Sequence, residues 1–211
     1  MKTIILTIIA LAFCTLQLHA QYVEPEKSEK LKAQSKITYP STPFDSVATR
    51  NALALGKSTL KGVAFTRLKN GYGIKTGNKI KGNKITVVLF PVTPYFEEYY
   101  KLWKDKKYNN PKKNRFVYMD EKAYILRLEA ITNSDGEFTF PEMLPGKYYI
   151  YATLGYTKTK SYNRYTGSGY GSYGGRVDYY QPTLYSENFS DLLEKFIEIK
   201  KNGEVVDVKL R

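Results

Sequence analysis

The chain is poor in the residues that carry most enzyme chemistry. Its 211 residues include one Cys, one His and one Trp. Cys14 and His19 both fall within the first twenty residues. There, Met1-Lys2 precedes an apolar run from Thr3 to Leu16, and Ala20 offers a small residue for cleavage before Gln21. The run is too short and too poorly flanked to span a membrane, so residues 1–20 read as a secretory signal peptide. The mature chain is then expected to lack both Cys and His. This excludes a Cys/His zinc site, a Ser-His-Asp triad, a Cys nucleophile and a disulfide. Carboxylates, Lys and Tyr remain, and no catalytic residue and no cofactor is expected. After cleavage near Ala20 the chain is expected to be secreted or held in the periplasm or cell envelope, with no transmembrane segment.

Negative charge is also scarce, with 20 Asp+Glu against 33 Lys+Arg and a net charge of +13. Cys14 bears on attachment, because a lipid-modified Cys would anchor the chain. A lipoprotein signal resembles Leu-small-small-Cys, with Cys closing the apolar run. Here Phe13 precedes Cys14 and apolar residues follow it, which favours a plain signal peptide.

Residues 21–58 read as a polar arm. Glu24 to Lys36 and Pro40 to Pro43 offer little to bury. Ser46 to Leu55 suits one short helix, capped by Asp45 or Ser46 and ended by Gly56. Asp45-Ser46-Val47 resembles the short O-glycosylation motif of Bacteroidetes. From Thr59 the pattern turns to short β runs between turns. Thr59–Thr66 is the first, followed by a Gly- and Lys-rich connection through Gly82. Ile85–Phe90 and Ala123–Thr132 come next, the latter with helix-compatible Leu, Ala and Glu. Asn133 to Gly136 is a turn, Glu137–Phe140 a strand, Pro145-Gly146 a turn and Tyr148–Leu154 a strand. Phe196–Lys200 is expected to pair with Val205–Leu210 as a hairpin across Asn202-Gly203. The sum is an all-β chain of roughly seven strands folded as a sandwich, with a short helical insertion at Tyr95–Tyr108 and a long Gly/Tyr-rich loop over Thr157–Gln181.

The residues Thr132 to Phe140 (TNSDGEFTF), followed by Leu144-Pro145-Gly146-Lys147-Tyr148, resemble the T-x-x-x-G-x-F-x-F…L-P-x-G-x-Y pattern of carboxypeptidase regulatory-like domains. Gly62-Val63 resembles the opening of such domains, Ile85–Leu89 their second strand and Gly203–Leu210 their last. The stretch Val87 to Tyr95 also resembles one found in small bacterial envelope proteins. The resemblance covers residues 59–211 and implies an Ig/transthyretin-like (prealbumin-like) β-sandwich, of the kind also described as carbohydrate-binding-like. In the zinc peptidases that gave the family its name this domain follows a catalytic domain, and no such domain is expected here. Residues 94–122 and 157–190 resemble insertions in the family pattern.

Two features suit contact chemistry. Lys101 to Arg115 holds seven cations against Asp105, a patch suited to anionic glycans or lipid head groups or to a solvated face. No nucleic-acid partner is expected. Eleven of the 20 tyrosines lie between Tyr148 and Tyr185, and each ring offers an apolar face with a hydroxyl. The candidate binding residues are Tyr165, Tyr170 and Tyr173, supported by Trp103, Lys104, Lys106 and Lys107. Glu97-Glu98 and Asp120-Glu121 are sequence neighbours without evident convergence. Asn133, Asp135 and Glu137 read as turn chemistry rather than calcium ligands. The composite reading is an exported, non-catalytic β-sandwich acting by binding, as an envelope accessory or adhesion-type domain whose partner is a glycan or an envelope protein. The alternatives are a carbohydrate-binding module using the Tyr-rich loop and, last, an unusual carboxylate or Lys/Tyr enzyme.

Overall fold

The computed structural model describes residues 35–70 and 72–211. The expected signal peptide, Cys14 and the first part of the polar arm lie outside the described residues. The rest divides into two compact units, residues 35–39 with 102–118 and residues 40–101 with 119–211.

In the smaller unit, β1 (Lys36–Thr38) pairs in parallel with β5 (Arg115–Val117). Part of the expected polar arm is therefore strand. The Arg115 guanidinium donates to the Lys107 carbonyl at 3.0 Å, and a 3₁₀ turn at Pro111–Lys113 ends on Asn114 in the left-handed region.

The larger unit holds two four-stranded sheets. Its first element, α1 (Ser46–Ala52), is capped as expected, the Asp45 carboxylate accepting from the amides of Val47 and Ala48. In one sheet β2 (Ser58–Lys69) is central. It pairs in parallel with β10 (Val205–Leu210) on one edge. On the other edge β7 (Glu137–Met143) and then β3 (Lys75–Lys81) pair with it in turn. Both meet at Ala64, whose amide donates to Gly136 and whose carbonyl accepts from Gly82. Gly136 sits at φ +78°, and a Cβ there would lie 2.5 Å from the Ala64 carbonyl oxygen, so this junction requires glycine. The second sheet runs β6 (Leu128–Ile131), β4 (Thr86–Pro91), β8 (Gly146–Tyr170) and β9 (Arg176–Ile199), all antiparallel.

The alternation of each strand builds the core. Leu60, Val87, Leu89, Phe138, Phe140, Tyr148, Ile150, Leu193, Val208 and Leu210 fill the space between the sheets. Phe138 and Phe140 meet edge to face at 6.0 Å, and the Tyr148 hydroxyl lies 2.9 Å from the Leu144 carbonyl. The β-rich sandwich expected from the sequence is the fold observed. β4 is an unbroken apolar run because both its faces are covered. Val87 and Leu89 face the sandwich interior. Val88 and Phe90 pack instead with Tyr149 and with Phe96 of α2 (Pro94–Lys104), the helical insertion.

Five local expectations are corrected. Residues 123–132 do not form one strand, because Asp120 caps a short helix, α3 (Glu121–Ile125), ahead of β6. The Gly- and Lys-rich connection contains β3, whose exposed lysines hid a strand that buries little. The α1 helix stops before Gly56. Asn202-Gly203 does turn the chain, but β9 and β10 are not paired; they belong to opposite sheets. Ser58 explains this: its hydroxyl donates to the Lys201 carbonyl and accepts the Gly203 amide, fastening the turn to the start of β2. Finally, the Tyr-rich segment is not a loop. It is the outer half of the β8–β9 hairpin, paired from Gly146↔Ile199 to Tyr170↔Arg176 with one register shift between Tyr165 and Gly167. The Gly residues cluster at the tip, where the Gly171 amide donates to Gly175, while the Thr, Tyr and Ser that precede them favour strand.

Candidate functional site

The larger unit carries an open groove of about 720 Å³ lined by Val92, Glu97, Tyr100, Lys101, Lys147, Phe196, Ile197 and Glu198. Its volume falls within the range of small-molecule sites. The strand register explains its floor. Lys147 lies opposite Glu198 and Tyr149 opposite Phe196, and directly opposed residues share a face. This is the sheet face that α2 covers. Helical spacing then brings Glu97, Tyr100 and Lys101 to the rim, while Phe96 plugs between Phe90 and Tyr149 at ring distances of 5.4 and 5.3 Å.

The groove combines an apolar platform with polar groups. Tyr100 meets Phe196 edge to face at 4.8 Å, and Tyr149 lies 5.0 Å from Phe196. Phe196 is 46% exposed, although aromatic neighbours hold it in place. Tyr149 donates its hydroxyl to Glu194 at 2.6 Å. Burial, reinforced by that carboxylate, pushes its phenol well above the ordinary tyrosine range. Burial likewise pushes Tyr99 up to about 12. These phenols stay neutral and fix the platform. The side chains of Glu97, Lys101, Lys147 and Glu198 make no hydrogen bond or ion pair among the described residues. Two carboxylates and two ammonium groups therefore line the groove with their hydrogen-bonding capacity open.

The adjacent carboxylates Glu97 and Glu98 diverge. Glu98 clamps the preceding segment, accepting from the Ser41 amide and hydroxyl at 2.9 and 2.7 Å and from the Thr42 amide at 2.7 Å. Bonds from Thr42 and Ser41 hold its carboxyl down at about 2. Asn133 caps its own turn, accepting from the amides of Asp135 and Glu137, and Asp135 pairs with Lys81.

The tyrosines singled out from the sequence do not converge into one patch. Tyr165 and Tyr180 oppose each other on one face of the hairpin, edge to face at 5.8 Å. Tyr162 and Tyr185 pair at 5.8 Å on the other face, which also carries the stacked Tyr156 and Phe189. Tyr170 and Tyr173 are exposed at and near the tip. Trp103, Lys104, Lys106 and Lys107 belong to the smaller unit. There the Lys104 ammonium lies 4.8 Å from the Trp103 ring centre and the Trp103 carbonyl accepts from Asn109. The groove itself escaped sequence reasoning. Its one legible signal was the helical spacing of Phe96, Tyr99 and Tyr100, which located the covered face but not the strand residues opposite.

No family model matches the chain, and no curated protein matches it in sequence. A solved structure with a similar course is that of a candidate carbohydrate binding protein from Pseudomonas aeruginosa. It is 19% identical, with a TM-score of 0.49, and the match covers 82% of this chain and 99% of that one.

Proposed function

We propose that this chain is an exported, non-catalytic β-domain that binds a glycan in the groove between α2 and the β8–β9 strands. The observation that carries the reading is the half-exposed Phe196 ring, braced by Tyr100 and Tyr149 in a groove also lined by Glu97, Lys101, Lys147 and Glu198. A sugar ring has an apolar C–H face and a hydroxyl edge. The first stacks on an aromatic ring, and the second needs carboxylate acceptors and ammonium donors at its perimeter. Export rests on residues 1–20. The resemblance of residues 132–148 to carboxypeptidase regulatory-like domains supports a scaffold role for the sandwich but names no ligand.

The test is binding of the secreted-form chain to a glycan array, followed by titration of the best oligosaccharide. Phe196→Ala and the double variant Glu97→Gln/Glu198→Gln should each weaken binding at least tenfold with unchanged far-UV circular dichroism. Binding that survives both variants would overturn the groove assignment. A second reading, an adhesion-type envelope contact, is favoured by the projecting hairpin and its exposed Tyr170 and Tyr173.

A further inference from the structure

The β8–β9 hairpin leaves the sandwich with two long edges, and they are not equivalent. β4 pairs with β8 only from Pro91↔Tyr148 to Val87↔Ala152. Beyond Ala152, among the described residues, no strand pairs with that edge of β8. The Val92 amide donates to the Lys147 carbonyl at 2.9 Å, so the odd-numbered residues of β8 aim their backbone groups toward the β4 side. Alternation then directs the N–H and C=O of Gly155, Thr157, Thr159, Ser161 and Asn163 to the open edge. All five side chains are small and uncharged, and β8 contains no proline. The outer edge of β9 is guarded. Pro182 lies opposite Asn163 and so falls among the β9 residues that face away from β8, where it removes a donor from that edge. Proteins blunt exposed edges with proline, charge or bulges. Here the β9 edge is interrupted at Pro182, whereas the β8 edge from Gly155 to Asn163 is an unbroken row of donors and acceptors.

Charge indicates what fits there. The residues of β8 include Lys147, Lys158, Lys160 and Arg164 and no carboxylate. Lys158, Lys160 and Arg164 alternate along one face beside the open edge. Lys160 shares its charge with Glu187 at 2.5 Å, and the Lys158 ammonium approaches the Lys69 carbonyl at 3.4 Å. A second copy of β8 laid antiparallel on this edge would set cations against cations, which destabilises a strand pair.

We propose that the free edge of β8 from Gly155 to Asn163 is a docking site for an extended acidic polypeptide segment, which adds to the sheet as a further strand. Backbone hydrogen bonds supply affinity, and alternate carboxylates set beside Lys158, Lys160 and Arg164 supply selectivity. This site is independent of the groove.

The probe is a labelled ten-residue peptide in which glutamate alternates with threonine and valine, titrated into the full mature chain by fluorescence anisotropy. The expected result is saturable binding. It should fall at least tenfold when glutamate is replaced by lysine or when alternate peptide amides are N-methylated. On the protein, Thr159→Pro removes an edge-facing N–H that no internal bond uses and should abolish binding, and Arg164→Glu should weaken it at least fivefold. The N-methylated peptide keeps the test decisive if Thr159→Pro misfolds. Absence of binding, or binding indifferent to N-methylation, overturns the proposal. So does a dimer detected by light scattering that the acidic peptide cannot dissolve, which would assign the edge to a second copy. Displacement of the peptide by a neutral glycan with equal effect would likewise overturn it.

Discussion

Asp191 offers the sharpest test of how the two sheets are joined. It lies on β9 at 8% exposure, and its carboxylate accepts the Thr66 hydroxyl of β2 at 2.6 Å. Lys75 and Lys69 approach it at 3.0 and 3.6 Å. Thr66 is itself 1% exposed, so removing the acceptor strands a buried hydroxyl. A hydrogen bond to a charged group contributes about 1.5–3 kcal/mol. Lys75 and Lys69 are 40% and 48% exposed and can return to water, which limits each pair to about 0.2–1 kcal/mol. Asp191→Ala should therefore cost roughly 2–4 kcal/mol, lowering Tm by about 5–15 °C for a chain of this size. Asp191→Asn keeps an acceptor for Thr66 and should cost about half as much. The sequence-level motif says nothing about this node, so the outcome bears on the sheet packing alone.

The same node fixes a pH dependence. Burial pushes the Asp191 carboxyl up, but Thr66, Lys75 and Lys69 together outweigh that and hold it below the ordinary value of 3.8. The folded carboxylate then binds its proton less readily than the unfolded one. Its contribution is complete above about pH 4–5 and is lost as pH falls below 3.8 through the folded value. Urea unfolding followed by circular dichroism at pH 7 and at pH 3 should show the gap between wild type and Asp191→Asn narrowing in acid. A variant Asp191→Ala within 0.5 kcal/mol of wild type at pH 7, or a gap that widens in acid, would refute the reasoning.

Three further outcomes are expected. Phe140→Ala should cost roughly 3–5 kcal/mol in urea unfolding, because the ring is fully enclosed beside Phe138 and Leu60; a loss below 1 kcal/mol would remove Phe140 from the core. Tyr148→Phe should cost about 1 kcal/mol, since its hydroxyl reaches the carbonyls of Leu144 and Ala52 at 2.9 and 3.1 Å; an unchanged midpoint would show those bonds to be replaced by water at no cost. The Glu98 carboxyl should titrate by NMR at about 2, with the Ser41 and Thr42 amides losing protection only as the pH drops below about 4.5 toward that value; titration near 4.5 would show the clamp to be open.

The parts of the fold visible in the sequence were those with local causes. The Asp45 cap, the Asn133–Gly136 turn and the alternation of Phe138 and Phe140 each depend on residues within a few positions, and each lies where expected. What escaped depends on distant partners. β3 buries almost nothing of its own, so its lysines looked like a linker until β2 supplied the pairing. The hairpin expected at Asn202-Gly203 failed because the turn is anchored to Ser58, about 145 positions earlier. The outer hairpin looked like a loop because its glycines were read without the complementary strand opposite. The candidate groove joins Glu97 to Phe196 across two elements, and no spacing rule links them. Tyr165, Tyr170 and Tyr173 are exposed, but the two-residue period of paired strands sorts the hairpin tyrosines onto opposite faces, an order that a loop does not have.

β8 and β9 run without a break from the sandwich interior to the tip at Tyr173, about 50 Å beyond Leu154 at the usual rise per residue. A force applied at that tip along the ribbon would pull on two strands at once. At their inner ends the load passes to β4 through the rungs between Val87 and Pro91. These lie side by side across the pulling direction, so they are strained together in shear rather than peeled open one after another. A contact made by the arm would thus be mechanically wired into the middle of a sheet, and its grip would yield by sliding a whole strand pair rather than by unpicking a turn.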